Sequence, residues 1–380
     1  MNELKSLDLA IAIGRAVPRP LPASVGAAVQ SVEVVRSDDG PSTFQISFNA
    51  EREGSARDYS MLGDDLFAPF SRVVVEVIVN AIPHVLFDGV ITHLQLAPGD
   101  TRQGDTITIS GEDISVMFDM TDEAKSYPMM GDVEIVARVL EGWELYGIEP
   151  EVVPPPSAPV SDPEIETPFQ NETDRAYLQR LAKAYGYVFH VRPGAAPFTN
   201  VAYWGPPLRL RLPQPALSID FGPFTNVDAV DFEYDAMAPV MILGSTLEPF
   251  TDAEVPVATV ESTRLPPFAT QPALTANLPN GRRQFFQNQQ LSGLRAEANA
   301  QAITNMSTDS VVTARGTLDA VRYGGLLEAP GVVGLRGAGD SHDGLYYVKQ
   351  VSHRVTRDSY KQDFVLTREG LGTTIQEVRT

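Results

Sequence analysis

Alternation of apolar and polar residues dominates the first third of the chain. Phe44, Ile46 and Phe48 alternate with polar residues, which is the pattern of a half-buried antiparallel strand. Similar runs lie between turn signals such as Asp38-Asp39-Gly40. The pattern predicts five strands that form a small barrel or sandwich, at residues 31–35, 43–49, 73–79, 85–94 and 106–110.

The hydrophobic period changes to that of a helix after Gly111. Apolar residues between 135 and 143 line one side of a short helix, and we expect Asp132 to cap it. The strongest predicted helix is capped by Asn171 and ends at Gly186. A third, alanine-rich helix is predicted over residues 289–305.

Two proline-rich stretches separate these elements. Residues 150–168 predict a stiff extended linker, and residues 249–281 predict a second irregular excursion. Two β-rich regions around a helical insert raise the hypothesis of an ancient internal duplication. Further strands are predicted at 187–191, 208–212, 217–221, 227–234, 310–318, 331–335, 345–351 and 362–367.

The predicted fold class is therefore mainly β with α insertions (α+β). We expect a first β-barrel domain over residues 1–125 and a helical or mixed insert over 126–215, which includes the linker at 150–168. A second β-barrel domain is expected over 216–380, with the excursion at 249–281 and the helix at 289–305.

Composition narrows the possible functions. The chain of 380 residues carries 29 basic and 49 acidic side chains, a net charge of −20, which disfavours sequence-specific binding to nucleic acid. The charge fits a negative channel wall, but plain solubility is the favoured explanation. There is no cysteine, so thiolate chemistry and disulfides are excluded. No apolar run is long enough for a transmembrane segment, and the charged N-terminus does not resemble a signal peptide.

Candidate catalytic and binding residues are weak in this sequence. The histidines at 84, 93, 190, 342 and 353 are scattered without metal-ligand spacing. No GxSxG motif is present, and Ser341 and His342 are merely adjacent in sequence. We expect no catalytic residue, no cofactor-binding residue and no metal ligand, and we expect that the protein is not an enzyme.

Three further groups of residues have both a functional and a structural interpretation. Carboxylate pairs could serve glycoside hydrolysis, but turn capping and solvated loops explain them more simply; they are Asp64 with Asp65, Glu112 with Asp113, and Asp162 with Glu164. Trp143, Trp204 and the pair Tyr346-Tyr347 could stack on ligands, although core packing is favoured. Glycines 334, 337, 339 and 344 around Arg336 lack the pattern of a phosphate-binding loop and predict hairpin turns.

Several stretches resemble the late control protein D family of contractile-tail baseplate hubs, which includes the hub portions of type VI and extracellular injection spikes. The most specific stretch is Asn171-Glu-Thr-Asp followed by Leu178, Leu181-Ala182 and Gly186, which is similar to a helix of that family. The other stretches are similar to family strands, at 41–48, 86–91, 106–113, 326–331, 343–348 and 364–368 with His353.

The resemblance implies a structural hub that trimerises. Each subunit would give two tube-like β-barrels, so that three chains present six similar domains to a hexameric tail tube and threefold symmetry to a spike, around a central channel. Implied partners are the tail tube protein, a separate spike protein, baseplate wedge proteins and, as a further candidate, the tape measure protein. The expected location is the virion tail baseplate or an assembled injection particle, built in the host cytoplasm. We expect exposed edge strands of both barrels to form the contacts.

Two other functions stay open at this point. One is a tail-tip cell-wall hydrolase, which would need a carboxylate pair in a cleft. The other is a glycan-binding or receptor-binding tail module, which the β-rich regions and aromatic residues would fit.

Overall fold

The computed structural model describes residues 7–15, 17–50, 59–62, 66–79, 82–99, 104–156, 167–196, 198–249, 251–276, 280–287 and 291–375. Strands outnumber helices, and most strand pairs are antiparallel. The predicted class, mainly β with α insertions, is confirmed. None of the helices in these ranges is long and apolar enough to span a membrane.

The first part of the chain forms seven strands around one apolar core. They pair in the order β3-β4-β7-β6-β5-β1-β2, and alternate side chains such as Phe44, Ile46 and Phe48 are at most 2% exposed. All five predicted strands are found. The elements are β1 (Leu7–Gly14), β2 (Arg19–Pro20), α1 (Ala23–Ala28), β3 (Val29–Ser37), β4 (Thr43–Ala50), β5 (Arg72–Val79), β6 (Ile82–Ala97) and β7 (Asp105–Asp113), with a 3-10 turn at Ser60–Leu62.

A mixed module with its own core follows. β8 pairs with β10, while β9, β12 and β11 form a three-stranded sheet against which α2 and α3 pack. Its elements are β8 (Asp122–Ser126), α2 (Asp132–Glu141), β9 (Ile148–Val152), β10 (Phe169–Thr173), α3 (Asp174–Ala184), β11 (Val188–Pro193) and β12 (Asn200–Gly205), with 3-10 helices at Ile114–Asp119 and Glu144–Tyr146. Of the linker predicted at 150–168, residues 150–152 belong to β9, 157–166 lie outside the described residues, and β10 begins directly after residue 168.

Both predicted helix caps in this module are wrong. Asn171 lies within β10, whose pairing with β8 keeps the chain extended as far as Thr173, and the Thr173 hydroxyl accepts the Ala176 amide at 3.2 Å. Likewise Gly131 is the cap of α2, and its amide donates to Glu134 at 2.8 Å. Asp132 instead accepts the Tyr185 hydroxyl at 2.6 Å and so ties α2 to the end of α3.

The remaining elements form a second β region with a small inserted module. They are β13 (Gln214–Ser218), β14 (Val227–Tyr234), β15 (Val240–Leu247), β16 (Glu254–Thr259), β17 (Ala269–Pro272), α4 (Ala273–Ala276), β18 (Arg282–Phe285), α5 (Gly293–Thr308), β19 (Val312–Asp319), α6 (Ala320–Tyr323), β20 (Gly331–Arg336), β21 (Gly344–Thr356), β22 (Tyr360–Arg368) and β23 (Gly370–Thr373), with a 3-10 turn at Gly222–Phe224. β13, β14 and β19 to β22 share one core. Within the excursion predicted at 249–281, the described residues include β16, β17 and α4, since β16 pairs with β15 and β17 pairs with β23; residues 250 and 277–279 lie outside the described residues.

One ladder joins the two β regions into a continuous sheet. The second half of β21 pairs with β3 in antiparallel register, from Gln350 opposite Ser37 to Thr356 opposite Ser31. The resulting strand order runs β14-β19-β22-β21-β3-β4-β7-β6-β5-β1-β2. The two halves therefore share backbone hydrogen bonds and are fixed relative to each other.

The two halves repeat the same strand pattern, and two of the bulges in each half lie at corresponding positions. The strands β3, β4, β7, β6 and β5 correspond in pairing order to β14, β19, β22, β21 and β20. The extra residue of β3 against β4 is Gln30, and that of β14 against β19 is Asp228. The extra residue of β6 against β7 is Thr92, and that of β21 against β22 is Lys349. This agreement in register supports the hypothesis of an internal duplication.

The strand predicted at 208–212 is wrong, and its burial is the reverse of the expected one. Leu210 is 85% exposed and Leu212 is 91% exposed, whereas Arg209 is only 4% exposed. Its guanidinium donates to Glu369 at 2.6 Å and lies 4.0 Å from the centre of the Phe268 ring. The apolar-basic alternation therefore belongs to a loop that inserts its charged residue into the protein.

The Glu369 carboxylate accepts hydrogen bonds from two different segments of the chain. It accepts the amide of Ala269 at 3.0 Å and also that of Phe268, in addition to the Arg209 guanidinium. Burial alone would raise the pKa of Glu369, but Arg209 and the backbone donors outweigh it and lower the pKa. Glu369 is thus a buried carboxylate that stays charged and fastens the loop at Arg209 to the strand end.

We predict that Glu369→Gln destabilises the protein by about 3–5 kcal/mol, because it leaves the Arg209 guanidinium buried without its counter-charge. The measurement is the free energy of unfolding in urea. The matched control is Glu233→Gln, which breaks the exposed pair of Glu233 with Arg315 at 2.7 Å and should cost less than about 1 kcal/mol. Equal losses in the two variants would contradict the structural role assigned to the buried pair.

Candidate functional site

The five histidines do not converge. His84 and His93 lie on β6, His190 on β11, His353 on β21, and His342 in the turn between β20 and β21. Burial lowers the pKa of His190 and of His353 to about 3, so both are neutral. In the described ranges no group of three or more histidine and acidic side chains is placed to hold a metal ion.

The carboxylate pairs offer no shared cleft where they are described. Asp64 with Asp65 and Asp162 with Glu164 lie outside the described residues. Glu112 pairs with Arg175 at 2.9 Å, while Asp113 accepts the amides of Ser42 and Ser115. Burial raises the pKa of Asp113 to about 6. Because adjacent residues of β7 point to opposite faces of the sheet, these two carboxylates fasten different neighbours.

The aromatic residues belong largely to the cores. Trp204 and Tyr346 are fully buried and Tyr347 is 5% exposed, while the Trp143 indole donates to Asp174 at 2.9 Å. The structural interpretation of these side chains is confirmed. Glycines 337, 339 and 344 have positive φ angles in the hairpin between β20 and β21, and the Arg336 guanidinium donates to the Ser218 hydroxyl at 2.8 Å.

A cavity of about 480 Å³ lies where the first β region, the mixed module and the second β region meet. It is lined by the turn after β3, the end of α3, the loop at Arg209, and the end of α5 with the turn that follows it, among other segments. Gly186 lies at this wall with a φ of +64°, and a Cβ atom there would lie 3.1 Å from the Cα of Ala302 on α5. Only glycine therefore fits both the turn and the close approach of the two helices.

Charged side chains in this cavity are arranged as pairs. Arg264 donates to Asp309 at 2.6 Å and 2.9 Å in a two-bonded contact. Arg209 lies 3.9 Å from the same carboxylate. Asp38 accepts the Tyr347 hydroxyl at 2.5 Å, and its second oxygen has no hydrogen-bond partner among the described residues. The cavity is a polar seam between structural units.

Asp38 is a buried carboxyl group of this seam whose pKa is raised. It is 4% exposed, and burial raises its pKa to about 6. Asp39 and Asp309 reinforce that shift, while the Tyr347 hydroxyl and Lys349 oppose it. No local pattern indicates this, since Asp38-Asp39-Gly40 predicts only a turn. Tyr347, whose hydroxyl donates to Asp38, lies 309 positions away in the chain.

Two open strand edges are the other candidate functional surface. β14 pairs only with β19, and the last residues of β6, after Ile91, pair only with β7, within the described part of the chain. Leu94 is 46% exposed and Leu96 is 38% exposed on β6, and Tyr234 is 38% exposed on β14. Open edges with apolar side chains are sites where another chain can add a strand. The expectation of exposed edge strands in both β regions agrees with this geometry.

We predict that Asp38→Asn raises stability at pH 7–8 by on the order of 2 kcal/mol, since the folded wild-type protein must ionise a buried carboxyl group there. A folded-state pKa raised from 3.8 to about 6 means that wild-type stability falls as the pH rises through this interval. The advantage of the variant should shrink to less than about 1 kcal/mol at pH 4, where Asp38 is protonated in the folded state and only partly ionised in the unfolded chain.

Urea unfolding at pH 4 and pH 8 tests this difference. The matched control is Asp39→Asn at the neighbouring position, whose side chain is 70% exposed. It should change stability little at either pH. The assignment fails if Asp38→Asn differs from the wild type by the same amount at both pH values.

Solved structures of other proteins share this fold. No family model matches the sequence, and no curated protein matches it. The 43 kDa tail protein of prophage MuSo2 from Shewanella oneidensis matches with a TM-score of 0.63 at 12% identity, over 96% of this chain and 99% of that chain. A tail protein from Neisseria meningitidis MC58 gives 0.62 at 12% identity, over 96% and 98%.

A third match is c3393 of Escherichia coli, with a TM-score of 0.56 at 12% identity over 98% of this chain and 80% of that chain. It is described as a component of the type VI secretion system with structural similarity to the bacteriophage T4 tail proteins gp27 and gp5. At such identities the likeness concerns the fold. The chain has the fold of phage tail proteins and of a type VI secretion component, as the resemblance in its sequence implies.

Proposed function

We propose that the protein is a structural baseplate hub of a contractile phage tail or a related injection machine. The observation that carries this proposal is a fold shared along almost the whole chain with phage tail proteins. In this chain two repeated β halves form one sheet that leaves open edges on β14 and on the end of β6. A protein built to join others needs such edges, whereas a monomeric protein protects them.

In this proposal the functional unit is a homotrimer. Residues 1–125 and 216–380 form two tube-like units, with 126–215 as the insert between them. Three chains would then present six similar units to a hexameric tail tube, and threefold symmetry to a spike. The matching bulges in the two halves support this arrangement, because quasi-equivalent units must offer similar surfaces to the subunits of a ring.

The proposed partners follow from this position in the particle. They are the tail tube protein on one side, a spike protein on the other, and baseplate wedge proteins around the hub. The proposed location is the tail baseplate of a virion or of an injection particle, assembled in the host cytoplasm. The similarity to a type VI secretion component and to prophage tail proteins supports this proposal.

The proposed role is not catalytic. Among the described acidic residues, Glu112 and Asp113 hold separate neighbours, and Asp38 lies in a seam between structural units. The matched proteins are described as tail and secretion components, not as hydrolases. The cell-wall hydrolase and the glycan-binding module therefore have no specific feature of the described residues in their favour.

We predict that the purified protein, alone or with its spike protein, forms a ring with three times the chain mass of 41.3 kDa. The measurement is absolute mass by light scattering together with negative-stain imaging. The ring should show threefold symmetry, a central channel and about the width of a tail tube.

The decisive experiment is co-expression with the tail tube and spike proteins of the same particle. A chain that stays monomeric in their presence would contradict the hub proposal. A monomer that becomes trimeric only with the spike would support the proposal and show that assembly depends on the partner.

A further inference from the structure

The two halves of the chain are joined by the pairing of β21 with β3, and the structure describes both strands. In this junction the part of β21 after its extra residue, Lys349, pairs with β3. The core-facing residues Val34 and Val351 are fully buried there, and His353 is 1% exposed. Pairing of two strand edges thus buries every core-facing side chain along them.

The repeated strand pattern contains a second pair of strand edges. They correspond to the paired edges of β21 and β3, but no strand pairs with them among the described residues. β6 corresponds to β21, and its extra residue Thr92 corresponds to Lys349. β14 corresponds to β3, and its extra residue Asp228 corresponds to Gln30. In one chain the end of β6 and the free edge of β14 stand far apart in the strand order, with six strands between them.

Exposure differs sharply between the closed and the open edges. Leu94 and Leu96 of β6 occupy the positions of Val351 and His353, and they are 46% and 38% exposed instead of buried. Phe232 of β14 occupies the position of Val34 and is only partly buried. The open edges therefore carry apolar side chains at the positions where the closed junction buries them.

We infer that the end of β6 in one copy of this chain pairs with β14 of the next copy, in the register of the internal β21–β3 junction. This inference rests on the proposed homotrimer and names the strands that close it. The occupant is a second copy, because the chain itself supplies the template for the contact. Every junction in the ring would then be built on one plan, alternately within a chain and between chains.

The register follows residue by residue from the internal junction. Ser352 is the third residue after Lys349 and pairs with Val35, which is the fifth residue after Gln30. The third residue after Thr92 is Gln95, and the fifth after Asp228 is Glu233. Gln95 of one copy therefore lies opposite Glu233 of the next.

In this register, apolar side chains face each other on one face of the sheet and polar side chains face each other on the opposite face. Leu96 falls opposite Phe232, and Leu94 falls opposite Tyr234. Leu96 pairs with Ile107 and Phe232 pairs with Ala314 within the chain, and both of these partners are fully buried. The apolar residues of the two edges thus meet on the core face. The polar pair Gln95 and Glu233 falls on the opposite face, which leaves no charge buried.

A disulfide test is direct because the sequence contains no cysteine. The variant Gln95→Cys/Glu233→Cys changes two exposed residues, so folding should be unaffected. Directly opposite residues lie about 5 Å apart between Cα atoms, within the span of a disulfide. Oxidation of the assembled protein should give covalent trimers on a non-reducing gel.

The matched control is Gln95→Cys/Asp231→Cys, which keeps the same face of the sheet but shifts the register by two residues. That diagonal spacing exceeds the span of a disulfide, so its yield of covalent trimer should be at least about tenfold lower. Higher yield from the shifted pair would overturn the register.

Failure of the inference and failure of the hub proposal give different results. Wild-type trimer rings without cross-linking of Gln95→Cys/Glu233→Cys would overturn the edge pairing and leave the hub proposal intact. A wild-type protein that stays monomeric with tube and spike proteins present, and whose variant does not cross-link, would overturn both. Covalent trimers in the predicted pair alone support both.

Discussion

The pairing of β3 with β21 is the constraint on which the rest of the structure depends. It brings together segments that are about three hundred residues apart, and it fixes two similar β halves edge to edge in one sheet. The chain can meet this requirement only because β21 is long enough to pair with β20 in its first part and with β3 in its second part. The distance along the chain makes this contact costly in loop-closure entropy, which slows folding.

The polar seam is a consequence of that pairing. Asp38 directly follows β3, and Tyr347 and Lys349 lie on β21 just before the ladder with β3 begins, so these groups are drawn together where the ladder ends. Arg209 and Glu369 then hold the loop from the mixed module against the second half. A buried guanidinium–carboxylate pair adds little net stability compared with apolar packing. It does restrict the relative orientation of the two groups, because the planar guanidinium must align its N–H donors with the carboxylate. The seam thus fixes the orientation of the modules that the sheet has brought together.

The sequence predicts the repeated strands well and the joints between them poorly. Alternation locates β4 and its neighbours because one face of each strand packs on a core. Asn171 fails as a cap because β8, about fifty residues earlier, holds it in a strand. Arg209 is misjudged because its burial depends on Glu369, which no local pattern reveals. β1 was missed because Ala10 and Ala12 fill positions between Leu9, Ile11 and Ile13 and so hide their alternation. The failures at Asn171 and Arg209 lie where a distant partner outweighs local preference.

Geometry within one chain also constrains any assembly built from it. A contact between β6 of one copy and β14 of another is head-to-tail, so it either closes into a ring or continues as a filament. The β21–β3 junction already fixes the angle between two halves, and the contact between copies would repeat that angle if its register repeats. Bulges at Thr92 and Lys349 bend both strands at equivalent points and keep the angles alike. In this arrangement the bulged strands determine whether a small number of copies closes into a ring. The large insert between β14 and β19 can therefore differ in size from the short turn between β3 and β4 without affecting ring closure.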